Sequence, residues 1–200
     1  MVRMVVVPAL DDDASLALVR NACRGDPASF RELFRAHCTA VHRIVYRLLG
    51  PAAEVDDVVQ SVFIEAFRGL ESFRGEARFS TWLARIAVRV AMRFAGRRRA
   101  AWLPLDDVAV AGAGPGPDEA ADEEEGLRHL DGLLGQLRPK KRTAFVLHVL
   151  EGYSAIETAE MLGVSVAAVK LRVYEARREL ARLAARDPWF AAALEGRKAP

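Results

Sequence analysis

A chain of 200 residues that is 52% hydrophobic has enough apolar side chains to fill packed cores, which excludes a disordered chain. Its two cysteines, Cys23 and Cys38, form no CxxC pair, which argues against a disulfide scaffold and suits a reducing compartment. The net charge of +2 conceals segregation: nine arginines and two glutamates lie between Arg68 and Arg99, then eight acids and no base between Pro104 and Glu125. Separation on this scale points to an anionic partner for the basic blocks.

The N-terminal MVRMVVVPAL is broken by Pro8 and too short for the apolar stretch of a secretion signal. No segment approaches the roughly 20 apolar residues of a membrane span, so the chain is expected to be soluble and intracellular. Two helical runs follow, on either side of the breaker Gly25-Asp26-Pro27. Asp26 is the expected N-cap and Pro27 the first helical residue, and Gly50-Pro51 ends the second run. His37 and His42 flank Cys38, but only Cys38 and His42 share helical spacing, and no second ligand pair follows. No metal site is expected there. The third run, AEVDDVVQSVFIEAFRGL, is amphipathic and closes at Gly69.

The fourth run, STWLARIAVRVAMRFAG, is two-sided, with Ser80 or Thr81 as the expected N-cap. At about 100° per residue, Leu83, Ile86, Ala87, Val90, Ala91 and Phe94 form one apolar stripe. Trp82, Arg85, Arg89 and Arg93 share a face largely opposite, and Arg97 to Arg99 extend the charge. No acid lies between Arg78 and Arg99, so this ridge has no local counter-charge and repels itself. An arginine ridge with aromatics at one end is a combination that holds single-stranded nucleic acid, with phosphates neutralised and bases stacked. A basic amphipathic helix lying on a membrane is the weaker alternative, because helical runs with core faces of their own flank it.

PLDDVAVAGAGPGPDEAADEEEG has no period and reads as a flexible acidic linker over 101–125. Beyond it a helix-turn-helix is expected. Ser154 caps a first helix with Ile156, Ala159 and Leu162 inward, Gly163 makes the turn, and Ser165 caps a second helix with Val169, Val173, Ala176 and Leu180 inward. Its outward face carries Ala167, Lys170, Leu171, Tyr174 and Arg178, flanked by Arg172 and Arg177. With the cluster RPKKR, these suit the phosphates and base edges of duplex DNA. A final segment at 187–200 contains PWFAAALEG, enough for a further helical turn. The fold class is therefore all-α: two small helical domains, 14–100 and 126–186, joined by the linker. No glycine-rich phosphate loop, catalytic triad or cofactor fingerprint is present, so neither an enzyme nor a cofactor is expected.

Taken together, RGDPASFRELFRAHCTAVHRIVYRLLG, the segment from DDVVQSVF to AGRRR, and LRPKKRTAFVLHVLEGYSAIETAEMLGVSVAAVKLRVYEARREL resemble the sigma-70 family of bacterial RNA polymerase sigma factors, in its extracytoplasmic-function (ECF) group. The resemblance implies a non-catalytic subunit that binds core RNA polymerase, recognises the −10 and −35 promoter elements and starts transcription. It implies core-polymerase contacts from Asp57, Gln60 and Phe63, and melted-promoter contacts from Phe79, Trp82, Arg85, Arg89 and Arg93. The loop from Phe73 to Phe79 would take an extruded base. Duplex contacts would come from Ser165, Ala167, Lys170, Leu171, Arg172, Tyr174, Arg177 and Arg178. It further implies that the linker threads through the polymerase, and that an anti-sigma factor covers these surfaces and can hold the chain at the membrane. The chain departs from the family's common pattern at Arg89, Arg93, Ala168, Leu171 and Glu175, which leaves promoter sequence open. A stand-alone helix-turn-helix regulator accounts for the second half but leaves DDVVQSVF and the arginine ridge without a task.

Overall fold

The computed structural model describes residues 12–50, 52–101 and 119–190. The N-terminal apolar run, Pro51, most of the acidic segment and the last ten residues lie outside them, as do the side chains of Arg98 and Arg99. Every regular element among the described residues is helical, as the periodicity predicts. They are α1 (Asp12–Cys23), α2 (Pro27–Leu49), α3 (Val55–Arg68), α4 (Phe79–Ala101), α5 (Glu119–Gln136), α6 (Pro139–Phe145), α7 (Ala155–Leu162) and α8 (Val166–Ala184). They divide into two units, one from α1, α2 as far as Tyr46, α3 and α4, the other built on α5 to α8.

In the first unit, α2 starts where its sequence dictates. Asp26 accepts from the backbone N–H groups of Ala28 and Ser29, each at 3.1 Å, and from the Ser29 hydroxyl at 2.6 Å. These bonds, the hydroxyl's above all, hold its carboxyl below the ordinary value. Asp56 and Asp57 sit in the first turn of α3, where the helix dipole favours negative charge. α3 lies along α4, and a 3-10 turn over Leu70–Ser72 leads into a loop that reaches α4. Leu33, Val45, Val62, Leu83 and Ala87 are fully enclosed or nearly so. Each large apolar side chain among them stabilises the unit by about 1.5–3 kcal/mol.

α4 begins two or three residues earlier than an N-cap at Ser80 or Thr81 implies. Phe79 is its first residue and Trp82 N–H donates to the Arg78 carbonyl at 3.0 Å, so Ser80 and Thr81 lie inside the first turn. The reason is tertiary: Phe79 is buried among other rings, and that anchor sets where the helix can start. The expected stripe from Leu83 to Ala91 is buried, with Phe94 partly so. Thr81, Ala84 and Val88 are buried as well. More than half the circumference of α4 is therefore enclosed.

The second unit shows its helix-turn-helix as expected. Ser154 and Glu157 form a reciprocal capping box, with Glu157 N–H donating to Ser154 Oγ at 3.1 Å and Ser154 N–H to Glu157 Oε2 at 2.8 Å. Gly163 takes φ +62°, the left-handed conformation that suits glycine, and Ser165 Oγ accepts from Ala168 N–H at 3.2 Å. Val169, Val173, Ala176 and Leu180 are buried. Ile156 is a correction. Expected inside, it is 63% exposed, because α7 buries Thr158 and packs Ala155 and Ala159 against the cluster of Val169 and Val173 of α8 instead. α6 runs into a π-helical turn over Val146–Leu150 before α7.

Two further findings concern the ends of this unit. α5 is already helical at Glu119, inside the segment expected to be linker. The chain after α8 folds back on α5: His129 pairs with Asp187 at 3.1 Å and stacks on Trp189 with centroids 5.4 Å apart. Trp189 rests over Gly126, where an added Cβ would lie 2.7 Å from its Cη2.

Candidate nucleic-acid interface

On α4 the aromatic end of the ridge is a cluster built from three elements. Phe73 from the loop, Phe79 and Trp82 from α4 contact one another with centroids 5.4–5.6 Å apart. His37 from α2 meets Phe79 edge-on at 5.1 Å. Phe79 is only 2% exposed, whereas Phe73 and Trp82 are part-exposed. This corrects the role expected of Phe79: it is the floor of the cluster, and the rings that reach solvent are those of Phe73 and Trp82. His37 is also buried; its Nε2 has no hydrogen-bond partner, and burial pushes its pKa below the ordinary 6.5. It is therefore held as neutral imidazole beneath the cluster. Its sequence neighbours suggested only a metal question, and nothing local marked it as a support for Phe79. Outside this cluster, His42 pairs with Asp56 at 3.5 Å.

Arg85 is half-buried, while Arg89 and Arg93 are exposed along the ridge. The ridge has a counter-charge that local spacing did not reveal. Glu65 on α3 accepts from Arg89 Nη2 at 2.8 Å through one oxygen and from Arg93 Nη2 at 2.6 Å through the other. The Arg93 hydrogen bond is the main reason that the Glu65 carboxyl lies below its ordinary value. The expectation of a self-repelling face is thus corrected: no acid lies nearby in sequence, but one lies nearby in space.

The α3 surface needs one replacement. Asp57 and Gln60 are exposed, but Phe63 is 4% exposed and packs against Phe34 and Phe67 at 4.7 and 5.8 Å. Ile64 completes the exposed face at the i, i+3, i+7 positions from Asp57 and Gln60. Phe34, itself exposed, flanks Phe63. Helical spacing alone could have picked Ile64.

In the second unit, Ser165, Ala167, Lys170, Leu171, Tyr174, Arg177 and Arg178 are exposed and Arg172 is half-buried, as expected of an outward face with flanks. Leu171 and Tyr174 are each 58% exposed, and the Arg178 guanidinium lies 5.8 Å from the Tyr174 ring centroid. The RPKKR cluster splits. Arg138 and Lys140 are exposed. Lys141 is engaged by Glu179 at 3.1 Å and Glu175 at 3.4 Å. Arg142 donates to the carbonyls of Gly135 and Leu137 at 3.0 and 3.3 Å, where α5 ends. Two of its cations therefore hold the unit together, because carbonyls and carboxylates of neighbouring helices fall within their reach. Glu175 is likewise occupied.

No group of three or more His, Cys, Asp or Glu able to hold a metal occurs among the described residues. No helix among them is long and apolar enough to cross a membrane.

Comparison with known proteins bears on both surfaces. The family model described as Sigma-70 region 2 matches residues 33–102, and that described as Sigma-70, region 4 matches residues 127–180. The chain is 36% identical over 172 residues to the ECF RNA polymerase sigma factor SigM of Mycobacterium tuberculosis, covering 86% of this chain and 84% of that protein. It is 33% identical over 183 residues to the RNA polymerase sigma factor CnrH of Cupriavidus metallidurans, covering 86% and 95%. Among solved structures it is similar to CnrH in complex with the cytosolic domain of CnrY, with a TM-score of 0.65 and 30% identity over 88% of this chain and 99% of that one.

Proposed function

The chain belongs to the sigma-70 family of RNA polymerase sigma factors, in its ECF group, and from that premise we propose how its surfaces divide the work of initiation. As a sigma factor it binds core RNA polymerase, recognises promoter DNA and starts transcription; the chemistry of RNA synthesis belongs to the polymerase. The exposed face of α3, with Asp57, Gln60 and Ile64, docks on the core enzyme. α8 lies in the major groove of the −35 element, with Lys170, Arg172, Arg177 and Arg178 toward phosphates. Ala167 and Leu171 suit thymine methyl groups, and Tyr174, braced by Arg178, adds apolar contact.

At the −10 element the duplex opens, and the loop from Phe73 to Phe79 takes an extruded base. Trp82 offers a stacking surface, Phe79 supports it from below, and Arg85, Arg89 and Arg93 neutralise the strand's phosphates. The segment joining the units spans polymerase between the two promoter elements. An anti-sigma factor is the regulatory partner, covering these same faces and keeping the chain idle in the cytoplasm or at the inner face of the membrane.

The observation that carries this division is the pairing, in one chain, of an aromatic–arginine face on α4, with Phe79 buried beneath part-exposed Phe73 and Trp82, and an exposed basic face on α8. A stand-alone duplex-binding regulator would use only the second. The test is to add the purified chain to sigma-free core polymerase on a promoter library and sequence the run-off transcripts. Specific transcripts are expected. Tight duplex binding without polymerase, and no transcripts with it, would overturn the proposal.

A further inference from the structure

Two arginines of the α4 ridge share one carboxylate, and the sharing is symmetrical. Each oxygen of Glu65 accepts one hydrogen bond, from Arg89 Nη2 at 2.8 Å and from Arg93 Nη2 at 2.6 Å. Residues four apart on a helix stand one above the other. A carboxylate from the neighbouring helix that bridges them therefore fixes the distance between the two guanidinium groups. Both arginines stay about half exposed, and Glu65 about one-third. A guanidinium carries five N–H donors, and Glu65 takes one from each. The rest remain for an incoming acceptor, and the trio carries a net charge of +1.

We infer that Glu65 is the positioning residue of a single phosphodiester site, holding Arg89 and Arg93 as a fixed pair matched to one backbone phosphate of the unpaired strand. This rests on the reading of α4 as the strand-binding surface. What Glu65 adds is selectivity. Two unneutralised arginines would attract any polyanion, strongly and without regard to sequence. With Glu65 between them the generic attraction is smaller and the geometry is set. Discrimination then falls to the base in the loop and to stacking on Trp82. Glu65 lies on α3, whose exposed face also carries Asp57 and Gln60, so the helix proposed to meet the polymerase also sets the register of the phosphate site.

The test uses the full chain bound to core polymerase. Single-stranded oligonucleotides carrying either the selected promoter's non-template sequence or a scrambled one are titrated across a range of salt. Glu65→Gln keeps the size and removes the charge. It should steepen the plot of log affinity against log salt by about 0.7, one phosphate equivalent on a single strand. Scrambled strand should bind several-fold more tightly, so that the promoter-to-scrambled ratio falls. Arg93→Gln should make the plot shallower by a similar amount.

The double variant Glu65→Gln with Arg93→Gln has the wild-type net charge. It should recover the salt dependence but not the wild-type rate of promoter opening. Recovery of both would mean that charge alone counts, which overturns the positioning role. Unchanged slope and ratio in Glu65→Gln, with or without a lower melting temperature, would mark the trio as a structural pair and overturn this inference alone. Failure of the wild-type holoenzyme to bind the promoter strand would remove the strand-binding surface itself, and the inference with it.

Discussion

α4 and α8 have similar lengths, 23 and 19 residues, and both carry arginines on one face, yet they present that face in opposite ways. α8 buries one stripe, Val169 to Leu180, and lifts Leu171 and Tyr174 clear of its own unit. α4 is enclosed over more than half its circumference, and its aromatic end is flanked by Phe73 of the preceding loop and supported from beneath by His37 of α2. The contrast matches the two forms of DNA in the proposed function. A helix that reads duplex has to protrude, because the major groove must close around it. A surface that captures an unpaired base needs a recess, and a recess takes walls from several elements. Even the charges follow this plan: the cations on the outer face of α8 point to solvent, whereas Arg89 and Arg93 on α4 share Glu65.

That contrast can be broken at its recess first. Trp82→Ala should slow promoter opening by about fivefold to a hundredfold, since stacking of one base on an aromatic is worth about 1–3 kcal/mol. Core-polymerase binding, measured separately by competition, should be unchanged. Equal loss of both would make Trp82 a packing residue only. A smaller effect is expected on the protruding helix, where Lys170→Ala should weaken duplex binding a few-fold and lower the salt slope by about one. A slope that did not move would remove Lys170 from the phosphate contacts.

The smallest effect concerns the floor of the recess. His37 has a folded-state pKa below its ordinary 6.5, so the unfolded chain binds more protons as pH drops below that value. Its contribution to stability is whole above about pH 6.5 and declines as pH falls toward the folded-state value, by at most about 1.4 kcal/mol per pH unit. Melting temperatures between pH 5.5 and 7.5 should show this decline in the wild type, and His37→Leu should lessen it. An identical pH profile in the variant would mean that His37 does not sense the solvent proton.

Local chemistry made much of the second unit legible in advance. Ser154, Gly163 and Ser165 mark helix ends through bonds to backbone within three residues, and the stripe from Val169 to Leu180 repeats at the helical period. Asp26 and Pro27 did the same for α2. Other features depended on who the neighbour is. Ile156 and Ala155 sit side by side on α7, and only the path of α8 chose Ala155 for the inside. Lys141 and Arg142 read as part of a basic patch until Glu179 and the end of α5 came within their reach. Gly126 looks like an ordinary weak point in a helix, yet the space it leaves is filled by Trp189 from more than sixty residues further on.

By itself, then, the sequence determined the helices, the two-sidedness of α4 and α8, the chemistry each outer face offers, and the family to which that pattern belongs. These are short-range properties: helical spacing, caps and turns are fixed by residues within a few positions of one another. Tertiary structure alone decided that Phe79 and Phe63 lie inside while Phe73 and Ile64 reach the surface, and that Glu65 bridges Arg89 and Arg93. Periodicity says which residues share a face, but not which neighbouring helix covers that face or what charge it brings.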